Sequence, residues 1–310
     1  MGEFRYLIIL PLIREQEETA EMDSWLEVQK QNRTLQILRS AAEGRYGVLA
    51  IICYNIEHLT ALVRAAEAKR SPLILLLFPS TVKQFPTLGW AAAAAVKSAT
   101  VPLSLHLDHA QDEAQIREIA ATLPFDSIMV DMSHYDHDDN LEKTKLLTRI
   151  CHDHGIAVEA ESGRINGGEE GIADTGSLEA LFTTPREVED FLAAGIDLLA
   201  PSIGNIHGDY GPAGPQLDFD RLSSVNTQVN SRVIMALHGT NDFTPEIMQR
   251  CIQSGAVKLN INKLILESWN TYVREHAQEP LMQLMDGGMA VLQAEVERWM
   301  VICGSSGKTQ

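Results

Sequence analysis

With 310 residues, 45% of them hydrophobic, the chain can bury one large core and is too long for a small sandwich or bundle. Its 25 basic and 42 acidic residues leave a net charge of −17, which disfavours nucleic acid and anionic membrane as partners. Cys53, Cys151, Cys251 and Cys303 form no CxxC pair and read as reduced thiols of a cytoplasmic protein.

Residues 1–33 read as a polar, helical N-terminal extension. The apolar run Tyr6–Ile13 within it is broken by Pro11, too short to span a bilayer, and followed by acidic residues instead of a cleavage site. From residue 47 onward, eight short apolar runs follow one another: Val48–Ile52, Leu73–Phe78, Leu103–Leu107, Ser127–Asp131, Ala157–Glu161, Leu198–Ser202, Val233–Leu237 and Ala256–Ile261. Helical patterns occupy Glu57–Lys69, Gly89–Ser98, Asp112–Thr122, Asn140–His154, Pro185–Ala194 and Pro245–Ser254. Continuous apolar runs suit strands covered on both faces. Eight strand–helix units predict a (β/α)₈ TIM barrel over residues 34–303, with extra N- and C-terminal helices.

Punctuation agrees with this division. Thr184-Pro185 and Thr244-Pro245 are N-cap and first-turn pairs, and Gly155, Gly195 and Gly255 stand where left-handed C-caps belong. Pro280–Met300 reads as terminal helix packed outside the barrel, and residues 304–310 as a disordered tail.

Barrels of this kind keep their chemistry at the C-terminal ends of strands. Three of those ends carry histidine: His109 after strand three, His207 after strand six and His238 after strand seven. Asp108, Asp131, Glu159 and Glu161 supply carboxylates. Three neutral imidazoles leave an open coordination position, the arrangement of a catalytic zinc site. His58, His152, His154 and His276 lie on helical stretches and read as solvated.

The motifs are specific as well as suggestive. Val101-Pro-Leu-Ser-Leu-His-Leu-Asp-His109, Ser127-Ile-Met-Val-Asp-Met-Ser-His134 and Val158-Glu-Ala-Glu-Ser-Gly-Arg-Ile-Asn-Gly-Gly-Glu-Glu170 resemble strands three to five of the class II fructose-bisphosphate aldolases. Ile203-Gly-Asn-Ile-His-Gly208 and Leu237-His-Gly239 resemble that family's remaining ligand motifs. The resemblance implies zinc on His109, His207 and His238, with Asp131 and Glu161 at an alternate metal position. It makes Asp108 the catalytic acid/base and Glu170 a loop residue assisting proton transfer. A phosphorylated ketose as substrate, a monovalent cation beside the zinc and a homodimer or higher homo-oligomer also follow from it. Zinc is needed as a Lewis acid, because cleavage between C3 and C4 leaves negative charge on the C2 oxygen.

The phosphate-binding half departs from the family pattern. Gly208, Gly239, Asn241, Asn260 and Lys263 are its candidate substrate contacts. The family follows His-Gly with small residues and Ser-Gly, whereas here the run is His238-Gly-Thr-Asn-Asp242. After strand eight Lys263 and Leu264 replace a Thr and an acid, and Phe78 stands where the family has Ser. Lys263 is expected to give the phosphate a point charge, contributing ten- to a hundred-fold in affinity, unless Asp242 pairs with it. Tagatose bisphosphate or a monophosphorylated ketose is the alternative substrate, and a weak metal- and sugar-phosphate-binding relative the alternative to an enzyme. A Schiff-base aldolase would place a reactive lysine in the barrel. Lys258 is the only strand lysine, and it is expected to pair with a core carboxylate.

Overall fold

The computed structural model describes residues 25–168 and 178–309. Eight parallel strands close into a barrel: β1 (Val48–Ile52), β2 (Leu73–Leu77), β3 (Leu103–Ala110), β4 (Ser127–Val130), β5 (Ala157–Ser162), β6 (Leu198–Pro201), β7 (Ile234–Leu237) and β8 (Lys258–Ile261). Each strand pairs with its sequence neighbours, and β8 closes the ring on β1 with Val48 opposite Lys258. All eight predicted apolar runs are barrel strands, and nearly every strand residue is buried. Helices on the outside enclose the main core, in which the outward residues of the strands meet Leu62, Ile116, Leu147, Phe191 and Trp299.

The helix that precedes β1 packs against the inward residues of the barrel. Helix α1 (Arg33–Gly44) lays Leu35, Ile37, Leu38 and Ala41 against the inward residues Val48, Ala50, Ile74, Ala157 and Leu198. Asn32 caps it, accepting from Leu35 N, while its Nδ2 donates to the carbonyls of Asp126 and Gly155. Residues 25–31 are helical as the lead-in predicts, and they dock on Asp197, whose carboxylate accepts from Trp25, Gln29, His152 and Val158 N. No helix among the described residues is long and apolar enough to cross a membrane.

The caps formed as predicted. Thr184 and Glu187 make a reciprocal capping box, and Gly155, Gly195 and Gly255 all have positive φ. Several elements differ from the sequence reading. A helix at Phe219–Val229 spans a stretch rich in Ser, Asn and Thr; it is held by an Asp218 cap and buries only Leu222, Val225 and Val229. Short helix Pro79–Gln84 was likewise not foreseen, while helix Lys263–Glu275 gives bounds to the helical stretch expected at His276. The terminal helix, Leu281–Ile302, does pack outside, against Ile56–Lys69. The disorder expected of residues 304–310 is corrected for 304–309: Ser305 is buried against Ser71, and Gly307 and Thr309 donate to the carbonyls of Lys69 and Arg70. Backbone pairing, which composition does not reveal, orders those residues. All four cysteines are buried and free, and burial pushes each thiol up to about 12, so none is poised to react.

His58 also departs from expectation. It is buried, edge-on to Trp269 with ring centroids 4.7 Å apart, and neither ring nitrogen has a hydrogen-bond partner among the described residues. Burial pulls its pKa down to about 4. A base depressed in the folded state contributes stability above its unfolded pKa near 6.5, and loses it as the pH falls towards 4. The full swing is roughly 3 kcal/mol. His58→Leu should therefore lose less unfolding free energy between pH 7 and 4.5 than the unchanged protein, read from urea midpoints. Equal losses would mean that the imidazole titrates normally.

Candidate metal centre and active site

The predicted strand ends converge on one mouth. His109 closes β3, His207 follows β6 in a short parallel pairing of Ile206–His207 with Asn166–Gly167, and His238 follows β7. All three are buried, and one nitrogen from each lies within 4.8 Å of the others. Local backbone makes this possible. The β3–β4 register shifts between Leu107 and Ala110, and His109 has φ 47°, a left-handed conformation. Strand alternation would point consecutive residues to opposite faces, yet Asp108 and His109 line the same cavity. Gly239, at φ 65°, lets the β7 loop pass close to Ile206; a Cβ there would sit 2.4 Å from the Ile206 carbonyl oxygen.

Hydrogen bonding sets which nitrogens face inward. His109 Nδ1 lies 2.8 Å from Asp131 Oδ2, and His238 Nε2 lies 2.7 Å from Glu159 Oε1. Each of these nitrogens donates to its carboxylate, leaving the other as a lone-pair donor. Those two remaining nitrogens, His109 Nε2 and His238 Nδ1, face each other at 3.0 Å. Two lone pairs that close need a cation between them. A donor set of three imidazoles, two of them with carboxylate-fixed tautomers, fits a zinc-type ion. Burial opposes charge on His109, but Asp108 and Asp131 outweigh it and raise its pKa to about 9, so a proton occupies this position when no metal does.

Asp108 is buried beside this cluster. Its Oδ1 accepts from Asn260 Nδ2 at 2.8 Å and lies 3.6 Å from His106 Nε2, while Oδ2 is 4.0 Å from His109 Nε2. Burial works against its charge, but His109, His106 and Lys258 hold it well below the usual carboxylate range. It is an ionised acceptor at neutral pH. Asp131 is likewise held low against burial, by His109 and Ser133. Glu161 goes the other way: burial and the neighbouring Asp131 push it up to about 8. His109, Asp131 and Glu161 form a second close group of potential ligand atoms. Glu170 lies outside the described residues.

The outer cradle is rearranged relative to expectation. Lys263 pairs with Asp209 at 2.6 Å, both side chains being half exposed or more, and not with Asp242. Asp242 instead accepts from Tyr210 N. Asn241 donates to the Gly208 carbonyl and lines the cavity with Gly239, Thr240 and Asn260. Glu159 is the residue to which the sequence assigned no role, whereas Glu161 was matched to a metal position. Both point inward from β5, and only depth in the barrel distinguishes the one that meets His238 and Lys258. Lys258 pairs with Glu159 at 2.8 Å, as a core carboxylate partner was expected to.

The sequence profile described as "Fructose-bisphosphate aldolase class-II" matches residues 32–308. The chain belongs to the class II fructose-bisphosphate aldolases. It is thus an aldehyde-lyase of a metal-dependent family. A Coccidioides immitis (strain RS) protein provisionally named fructose-bisphosphate aldolase is 45% identical over 291 residues, covering 91% of this chain and 96% of that one. The crystal structure of a provisionally named Coccidioides immitis fructose-1,6-bisphosphate aldolase superposes with TM-score 0.88 at 45% identity, over 90% of this chain and 98% of the other. The YdjI aldolase of Escherichia coli K12 gives 0.78 at 27% identity, over 89% and 98% of the two chains. Fructose-bisphosphate aldolase of Campylobacter jejuni shares the fold, at TM-score 0.72 and 19% identity, with 88% and 95% coverage. Membership of the class II aldolases accounts for the barrel and the histidine cluster together.

Proposed function

We propose that the chain is a zinc-dependent aldolase that cleaves fructose 1,6-bisphosphate to dihydroxyacetone phosphate and glyceraldehyde 3-phosphate. The opposed lone pairs of His109 and His238, beside an ionised Asp108, carry this reading. His109, His207 and His238 would hold the zinc. Bound there, it would polarise the ketose carbonyl and stabilise the charge that develops on its oxygen. Asp108 takes the proton of the C4 hydroxyl as the C3–C4 bond breaks, and returns it to the aldehyde oxygen in condensation. Asn260 keeps Oδ1 of that carboxylate occupied and thereby fixes its orientation. Glu170, by its family position, assists proton transfer at C3. Gly208, Gly239, Asn241 and Asn260 bound the place for the phosphorylated end, and a homodimer or higher homo-oligomer is the proposed assembly. Steady-state cleavage of a panel of phosphorylated ketoses by zinc-loaded protein tests the reading; no turnover of any of them would refute it.

The altered cradle favours one second reading, a substrate other than fructose 1,6-bisphosphate, such as tagatose 1,6-bisphosphate or a ketose monophosphate. Lys263 must leave Asp209 to reach a phosphate, and breaking an exposed pair costs up to about 1 kcal/mol. That lowers the net gain from the ammonium. Lys263→Met should weaken dihydroxyacetone phosphate binding by about tenfold, and Asp209→Asn should leave it equal or tighter. Inhibitor constants for both variants check this. Unchanged binding in Lys263→Met would place the phosphate on backbone N–H groups alone.

A further inference from the structure

Below the metal-facing imidazoles, the barrel interior holds an ammonium that takes no part in the proton transfer. Lys258 sits on β8, fully buried. Its Nζ lies 2.8 Å from Glu159 Oε2 and 2.7 Å from Asn260 Oδ1. From the ion-paired carboxylate and the accepting amide oxygen, separate chains lead by hydrogen bonds to the reacting centre. Glu159 Oε1 accepts from His238 Nε2 at 2.7 Å, and Asn260 Nδ2 donates to Asp108 Oδ1 at 2.8 Å.

The direction of both chains follows from what an ammonium can do. It carries three donors and no acceptor. Asn260 must therefore turn its oxygen to Lys258 and its NH₂ towards Asp108 and His238 Nδ1, the latter at 3.5 Å. A reversed amide would set oxygen against the Asp108 carboxylate. Glu159, with Oε2 on the ammonium, keeps Oε1 for His238, which fixes the tautomer whose lone pair faces the metal position. Without Lys258, the Glu159 carboxylate would be a buried charge lacking its counter-ion, and both chains would lose their polarity.

We propose that Lys258 is a positioning residue that sets, through one buried ammonium, both the inward lone pair of His238 and the orientation of the Asp108 carboxylate. This rests on the zinc-aldolase reading. It also explains a lysine in the barrel without covalent chemistry: the amine is engaged on two sides and is not among the residues lining the mouth's cavity.

The test uses the full, zinc-loaded chain carrying Lys258→Met. Zinc affinity is read by competition with a chromophoric chelator, and kcat and KM by ketose bisphosphate cleavage. Zinc should be held about ten- to a hundred-fold more weakly. At saturating zinc, kcat should fall at least about tenfold while KM stays within about threefold, because the loss lies in orientation and not in substrate contact. Zinc affinity and kcat both within about threefold of the unchanged protein would overturn the proposal. Should the unpaired Glu159 prevent folding, the comparison moves to Glu159→Gln with and without Lys258→Met. A further tenfold or greater loss of kcat on removing the ammonium supports the proposal, and no further loss overturns it. The zinc arm needs no sugar. An unchanged protein that cleaves no ketose phosphate refutes the proposed function and leaves that arm standing.

Discussion

Stripping the protein of metal is expected to abolish aldol cleavage, and zinc is expected to restore it. Nothing else among the described residues could take the electrophilic role. Lys258 is engaged by Glu159 and Asn260, so no free amine stands in the cavity to form a Schiff base. Borohydride added with substrate should accordingly leave the protein unmodified. The structure adds a signature. With a pKa raised to about 9, His109 carries a proton in the metal-free protein at neutral pH. Zinc must displace it, so reloading should release about one proton per zinc at pH 7, measurable in unbuffered solution. The sign is fixed: metal affinity falls as the pH drops further below that pKa. Activity that survives complete metal removal, or a lysine adduct trapped by borohydride, would end this mechanism.

Asp108→Ala is expected to lower kcat by at least ~10²-fold, the usual scale for losing a positioned acid/base. Zinc content should stay near that of the unchanged protein, because His109 and His238 take their orientation from Asp131 and Glu159 and not from Asp108. The substitution also leaves Asn260 Nδ2 without its carboxylate, so a modest loss of melting temperature should accompany it. Elemental analysis beside the kinetics separates the roles. Parallel loss of zinc would make Asp108 a support for the ligands and remove it from the chemistry.

The barrel was legible because its strands are continuous apolar runs set off by helix caps. Helix Phe219–Val229 was not, since three apolar contacts and one cap can hold a helix whose composition reads as loop. His109, His207 and His238 could be named from the sequence because strand ends in a barrel share one mouth. What each histidine leans on could not be read the same way. Asp131 and Glu159 differ from Glu161 by depth and by neighbour, and neither is written in spacing along one strand. The exchange of partners in the cradle was equally hidden. Asp209 and Lys263 are 54 residues apart and largely solvated, and such pairs are decided by loop course, not by pattern.

The left-handed step at His109 has a mechanical side. Such a conformation costs roughly 1–2 kcal/mol for a residue with a Cβ. In return, the proton carrier and one metal-facing imidazole are consecutive residues, joined by a single peptide. His207 and His238 reach the same mouth from the segments after β6 and β7. The proton carrier is therefore registered to one of the three imidazoles by covalent geometry, whereas His207 and His238 keep their places relative to it only through packing and hydrogen bonds.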